Sequence, residues 1–299
     1  MAKYRALAIV TSYWRPGTNY LSEIVAAIRD KVSDGDFLVI SEKALSIALG
    51  RIIDESKVKP GLNARFIAEV WMPIVWGYIL GPICCLNSRL IKDLREYPRQ
   101  LGSRHKQVAL QYSGLLQALM FGSEGGIDGS NLPYSYVSLP LEDAEALAER
   151  IHGEIWIKLG KHVNVMIVDT DTTFSFRNFY FTYRPRPMRG IHSMGGFLAY
   201  VAGRMFRLKR WATPLALAGC KISIKEALKV AYFANRVRGH GAGGTVWDMA
   251  ETFNVDLTGV SWEMLENTPH KPIVIVRAKE SPINGSTTQR PINYALKIS

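Results

Sequence analysis

The spacing of apolar residues changes along the chain, and each change marks an element. "YRALAIVTSY" is an apolar run of strand length, "YLSEIVAAIRDKV" repeats its apolar residues at helical spacing, and "DFLVIS" returns to a strand pattern. The "DGD" at Asp34 to Asp36 supplies the turn between the last two. "KALSIALGRIID" follows, and Lys59, Pro60 and Gly61 break the pattern. From there to about Leu94 the chain is mostly helical and apolar. "VALQYSGLLQALMF" fits two strands or one helix, since periodicity does not separate short apolar runs. "LEDAEALAERIHGEI" predicts an amphipathic helix with acids in its first turn, where they complement the helix dipole. "HVNVMIVDTDTTF" predicts a buried strand that ends on acids. Then come an aromatic run from Phe174 to Tyr183, a helix over "IKEALKVAYFANRV", a flexible "GHGAGG" turn, a helix around "VWDMAETF" and a last strand "KPIVIVRAK" before a polar tail.

Two stretches need more than periodicity. Phe66 to Leu86, "FIAEVWMPIVWGYILGPICCL", is long enough to test as a membrane span, yet it carries Glu69, two prolines and two glycines. That composition favours a buried helix pair or a dimer interface, with no membrane partner. "GGIDGSNLP" sets Asp128 and Asn131 three residues apart on a backbone loosened by Gly125, Gly126 and Gly129. Glycine tolerates positive φ, so such a loop can bring backbone and a carboxylate close to a ligand; an ordinary turn is the plainer alternative.

At 299 residues, with 47% hydrophobic and 21% charged, the chain is globular and long enough for one large domain or two ordinary ones. Cys84, Cys85 and Cys220 have no zinc-site spacing and include an adjacent pair that cannot comfortably bridge itself, so reduced thiols and a cytoplasmic protein are expected. "MAKYRALAIVTSYW" has too short an apolar core for a signal peptide. The net charge of +11 favours anionic partners, among them nucleotides, phosphorylated metabolites and nucleic acid. Its distribution is uneven. No acid occurs from Arg177 to Lys225, where Arg177, Arg184, Arg186, Arg189, Arg204, Arg207, Lys209 and Arg210 fall.

Asp128, Asp169, Thr170 and Glu266 are the oxygen donors that a hard divalent ion working with phosphates prefers. "DGDFLVISEKALSIALGRIID", "GGIDGSNLP" and "VNVMIVDTDTTF", in that order, resemble the motifs of the coenzyme F-420 gamma-glutamyl ligase family, enzymes that add glutamate to the deazaflavin precursor F-420-0. The family pattern has a strand with Gly-Asp and a later Gly-Arg, an [Ala/Gly]-Gly-[VI]-Asp-x-Ser-Asn loop, and a strand ending in Asp-Thr or Asp-Ser. "SWEMLENTPHKPIVIVR" resembles the family's Met-Gly-Glu or Met-Gly-Gln segment before its final strand, so that the likeness covers most of 1–172 and resumes near 245–277.

The resemblance implies an α+β, mixed-sheet fold: a single domain over 1–299 with a subdomain break near Gly195, in an intertwined homodimer. It implies GTP or ATP, two divalent ions (Mg or Mn), a monovalent cation, L-glutamate and an anionic acceptor such as F-420-0, a pterin or a folate. Asp128 and Asp169 would be the catalytic pair and hold one ion, Thr170 and Glu266 the other, and Asn131, Ser41 and Lys43 the nucleotide. Ile47 and Leu49 stand where the family carries a lysine and a glutamate, and Lys43 lies four residues before Ile47. Such a ligase makes an acyl phosphate, which calls for charge neutralisation rather than a protein nucleophile. The competing expectation is a non-catalytic relative that binds nucleotide or nucleic acid through the basic 177–210 region, whose arginines adjoin aromatics as in a single-strand groove.

Overall fold

The computed structural model describes residues 3–279, and the polar tail lies outside the described residues. Nine strands are found there: β1 (Lys3–Thr11), β2 (Phe37–Ser41), β3 (Ile52–Asp54), β4 (Tyr136–Ser138), β5 (Asn164–Phe176), β6 (Phe179–Thr182), β7 (His192–Ser193), β8 (Lys209–Ala218) and β9 (His270–Lys279). Seven form one mixed sheet in the order β1-β9-β2-β5-β6-β7, with β8 on β5, while β3 and β4 pair separately. The fold is α+β, with parallel and antiparallel pairs in the same sheet.

β5 organises this sheet. β8 runs antiparallel along one edge from Val165 to Ser175. The other edge pairs first with β2, in parallel and ending at Ser41 opposite Val168, and then with β6, antiparallel and beginning at Thr173 opposite Thr182. Alternate side chains feed two cores, as the two-residue period of a strand requires. Leu38, Ile40, Val165, Ile167, Ile273 and Ile275 pack beneath the helices Tyr20–Ile28 and Ala144–Leu159. Val39, Met166, Val168, Val274 and Val276 pack beneath the helix Ile224–Arg238.

A third core collects helices against the far half of β5 and β6, where Phe174 and Phe181 are buried with Met72, Trp76 and Ala199. Its main element is one continuous helix, Leu62–Ile83, which corrects the expected helix pair. Pro73 lies inside it, within a stretch of wide turns from Ile67 to Leu80 that closes with Gly81 N bonded to Trp76 O, five residues back. A proline breaks an ordinary turn by removing a donor, and a wider turn accommodates that loss. Ile67, Ala68, Met72, Trp76 and Gly77 face the core, and the indoles of Trp71 and Trp76 both donate to Leu119 O. Leu62, Phe66, Val70, Ile74 and Tyr78, four residues apart, stay exposed. By length and composition this helix could cross a membrane; one side of it is packed into the core.

"VALQYSGLLQALMF" resolves into two helices, Arg99–Tyr112 and Leu115–Ala118, broken at Gly114, where φ is +90°. The chain on the two sides of Gly195 returns to shared structure, since β8 pairs along β5 and Ala199 joins Phe181 in one core. Cys84, Cys85 and Cys220 are unbridged.

Under this helical region, His105 sits between two carboxylates, its Nδ1 2.7 Å from Glu55 and its Nε2 2.9 Å from Glu124, while the fully buried Lys106 also donates to Glu124. Burial opposes every charge here. Even so, Lys106 and His105 hold Glu124 down at about 2, and Glu55 and Glu124 hold His105 up at about 10. A group with a raised folded-state pKa stabilises below its unfolded value and loses that contribution as pH rises. Comparison of wild type with His105→Gln by chemical denaturation across pH therefore has a set outcome: the difference in unfolding free energy is full near pH 4.5 to 6.5 and declines as pH climbs toward 10. On the acid side it declines again below 4.5 as Glu124 protonates. A difference that is flat from pH 6.5 to 10 would show that His105 is not held as a cation.

Candidate active site

β5 does not end on its acids. It continues to Phe176, and the acids fall at a bulge: Asp169 opposes Thr213 and Thr172 opposes Ala212, leaving Thr170 and Asp171 unopposed. On the other edge β2 has already stopped and β6 has not begun. Bulges re-aim side chains, so the sheet interior presents carboxylates here much as a strand end would.

The charge that holds them is Arg184, 2% exposed and just beyond β6. Its Nη2 donates to both carboxylate oxygens of Glu42, at 2.6 and 2.7 Å, and its Nη1 lies 2.6 Å from Asp169 Oδ2 and 3.6 Å from Asp171 Oδ2. Burial opposes the charge on Arg184, but the three carboxylates outweigh it and keep it protonated. Burial, reinforced by Asp169, raises Asp171 well above the usual carboxylate range. Burial likewise raises Glu42, against the opposing pull of Arg184.

The glycines of "GGIDGSNLP" are explained by the same guanidinium. Gly126 has φ +98°, and a Cβ placed on it would meet Arg184 Nη1 at 1.8 Å. Close approach is thus what glycine supplies, and the loop is not loose. Asp128 exchanges backbone hydrogen bonds with Ser138, which ties it to β4 as one more rung.

Beside this network opens a cleft of about 130 Å³ that brings together Ser41, Lys43, Asp128, Asn131, Asp169 and Thr170. Lys43 pairs with Asp128 and donates to Ser130 Oγ at 2.6 Å, while Asp128 Oδ1 accepts from Ser130 N at 2.7 Å. Lys43 and Ile47 are four apart on the helix Glu42–Ala48, so they share a face, and both line the cleft. The ammonium therefore enters one turn before Ile47. Ser41 makes no capping bond to that helix, which leaves its hydroxyl for a ligand. Asn131 lies on the wall, with its amide already engaged: Nδ2 donates to His240 O and Gly243 O, and Oδ1 accepts from Ala242 N at 2.6 Å. It clamps the "GHGAGG" segment, which forms the facing wall.

Glu266 is not brought to the cleft. It pairs with Arg15 at 2.6 Å, and both side chains are exposed. Among the described residues no three His, Cys, Asp or Glu side chains form a metal cluster. Asp128, Asp169 and Thr170 offer oxygens for one hard ion, which characteristically takes the rest of its shell from water and phosphate; the second shell, without Glu266, is incomplete. The basic region is divided. Arg184 is in the core, Arg204 donates to Cys84 O and Cys85 O, and Arg186 to Glu142 O, while Arg177, Arg189, Arg207, Lys209 and Arg210 stay exposed.

A second cavity of about 360 Å³ has aromatic walls that include Tyr97, Phe121, Tyr183, Tyr200 and Trp247. It shares Asp128, Thr170 and Gly244 with the first. The residues that sequence reasoning missed are Glu42, Arg184, Arg238 and His270. Arg184 was hidden in a basic run, although its place just after the aromatic "FYFT" strand was a signal that it belongs to the sheet.

A family model described as F420-0:Gamma-glutamyl ligase matches residues 8–245, a span that stops before Glu266. Uncharacterized protein MJ1361 of Methanocaldococcus jannaschii is 36% identical over 288 residues, covering 92% of this chain and 97% of that protein. Coenzyme F420:L-glutamate ligase of Archaeoglobus fulgidus is 27% identical over 230 residues, covering 75% and 78% respectively.

Two substitutions test the network. Arg184→Gln strands buried carboxylates and should cost about 3–5 kcal/mol in urea unfolding. Gly126→Ala should cost at least about 2 kcal/mol, because its methyl displaces the guanidinium. Since both act on one contact, the double variant should fall short of the sum by about 1 kcal/mol or more, and strict additivity would refute the contact.

Proposed function

Because the chain belongs to the F420-0:gamma-glutamyl ligase family and is a ligase that forms amide bonds, we propose that it joins L-glutamate to a carboxylate of an anionic acceptor, of which F-420-0 is the first candidate, at the expense of GTP or ATP. The observation that carries this reading is the wall common to both cavities, Asp128, Thr170 and Gly244. A ligase of this kind must bring a phosphoryl donor and a carboxylate face to face. The small cleft, lined by Ser41, Lys43, Arg238 and the glycine segment, suits the phosphates, and the aromatic cavity suits a flat conjugated acceptor that stacks on Tyr, Phe and Trp rings.

In the first step an acceptor carboxylate oxygen attacks the terminal phosphorus, forming an acyl phosphate and releasing the nucleoside diphosphate. In the second the glutamate amine attacks the acyl carbon, phosphate leaves, and the amine proton is lost. Lys43, on the cleft wall, would neutralise phosphate charge, and Ser41 would donate a hydrogen bond. Arg184 acts at one remove: it holds Asp169 in position and keeps the buried acids compatible with the sheet. Asp128, Asp169 and Thr170 would hold one Mg²⁺ or Mn²⁺, which would spread the charge of the transferring phosphoryl group.

Calorimetric titration of GTP and ATP, with Mg²⁺, with Mn²⁺ and with chelator, tests this. Binding should require the ion and weaken about tenfold or more in Asp128→Asn, which leaves the buried Arg184 network intact. Amide product and nucleoside diphosphate should then appear in equal amounts when glutamate and F-420-0 are added. No nucleotide binding under any condition would sink the reading.

The exposed row Leu62, Phe66, Val70, Ile74 and Tyr78 supports pairing with a second copy of the chain. Light scattering on the eluting peak should give a dimer for wild type and a monomer for Ile74→Glu; a monomeric wild type would refute it.

A further inference from the structure

Arg238 closes the helix Ile224–Arg238 and lines the cleft with Lys43 and Lys271, and of these three it is the one whose charged nitrogens are buried without a partner. Lys43 has Asp128 and Arg184 has three carboxylates. The Nε, Nη1 and Nη2 of Arg238 are all shut off from solvent, and none has a hydrogen-bond partner. Five guanidinium N–H donors in a buried position are normally matched by acceptors, because an unmatched buried charge is costly. The nearby protein groups do not supply that match. Asp169 attracts Arg238 but is committed to Arg184, and His270 is kept neutral, pushed down to about 4 chiefly by burial. Burial pulls Arg238 itself down to about 10, which still leaves it a cation at neutral pH.

The segment that follows is built to face the same space. Gly239 to Gly244 line the cleft. The amides of Ala242 and Gly243 are used internally, whereas those of His240, Gly241 and Gly244 donate to no protein group among the described residues. Asn131 pins the segment from the Asp128 loop. At Gly241, φ is +61° and a Cβ would lie 2.5 Å from Asn131 Oδ1, so the clamp requires glycine there.

We propose that Arg238, with the unused amides of the segment it begins, is the receptor for a phosphate oxyanion of the nucleotide. The proposal rests on the reading above that a nucleotide occupies this cleft. An oxyanion on Arg238 supplies the missing acceptors. A carboxylate of glutamate has related chemistry, and the test separates the two sources.

Wild type, Arg238→Met, Arg238→Lys and the exposed-site control Arg189→Gln are titrated with inorganic tripolyphosphate, with GTP and ATP, and with L-glutamate, each with and without Mg²⁺. Melting temperatures without ligand are measured alongside. Tripolyphosphate and nucleotide affinity should fall about tenfold or more in Arg238→Met, recover in part in Arg238→Lys and stay unchanged in Arg189→Gln. Ligand-free Arg238→Met should melt above wild type, because an unsatisfied buried charge has been removed. Equal affinities in wild type and Arg238→Met, or a lower ligand-free melting temperature in Arg238→Met, would overturn the proposal. Loss of glutamate binding alone would overturn the phosphate assignment. Tripolyphosphate binding that depends on Arg238, in a protein that binds neither nucleotide, would uphold the oxyanion receptor while the ligase reading failed.

Discussion

One guanidinium, buried among three carboxylates, is the constraint on which the site depends. A sheet interior does not accept Glu42, Asp169 and Asp171 together unless their charge is met, and Arg184 meets it with Nη2 shared between both oxygens of Glu42 and Nη1 turned to Asp169 and Asp171. The pieces joined this way come from distant parts of the chain: the helix that begins at Glu42, the bulge of β5, and the turn after β6. Gly126 adds a fourth, since only a residue without a Cβ fits beside the guanidinium. The walls of the cleft are consequences of that joint, since Lys43 follows Glu42 in sequence and Asp128 follows Gly126 by two.

Apart from Arg238, the buried charge of this site is balanced in pairs rather than in bulk. A protein with a net charge of +11 shows no single basic face at its cleft; it matches Asp128 with Lys43, and the buried acids with Arg184. The helix Glu42–Ala48 also shows how a position can move without loss of reach. Lys43 and Ile47 point to one face because a helix returns after four residues, so a lysine displaced by a turn still serves the same cavity.

Where one physical signal dominated, the sequence was legible. The strand, helix and strand up to Ser41, the helix after Asp143, the helix ending at Arg238 and the strand "KPIVIVRAK" all followed from period alone, because each buries one face or both against a single neighbour. The Asp128 loop and the Asp169 segment stood out by their motifs, and one cleft is lined by both. The failures have particular causes. Pro73, Pro82 and the glycines of the 66–86 stretch suggest a break, but wide turns absorb the missing donor within a single helix. The acids of β5 resemble a strand end because a bulge and a missing neighbour expose them in mid-strand, a fact of pairing that no local pattern records. Glu266 had the right residue type near the right strand, yet Arg15 holds it on the surface while the "GHGAGG" segment takes the wall.

The placement of β9 has a consequence for synthesis. Among the described residues β9 is the last strand in sequence, yet it lies between β1, the first, and β2, and it is the only strand there with which β1 pairs. On a ribosome, β1 emerges well before residues 270–279, so the edge on which β9 pairs stays open while the intervening chain is made. Tyr13, just after β1, bonds to Asn131 O and borders the cleft, so the cleft is finished only when that late strand has entered the sheet. Ligand binding in a growing chain would then report completion of the fold, and chaperone engagement would be concentrated on the interval before it.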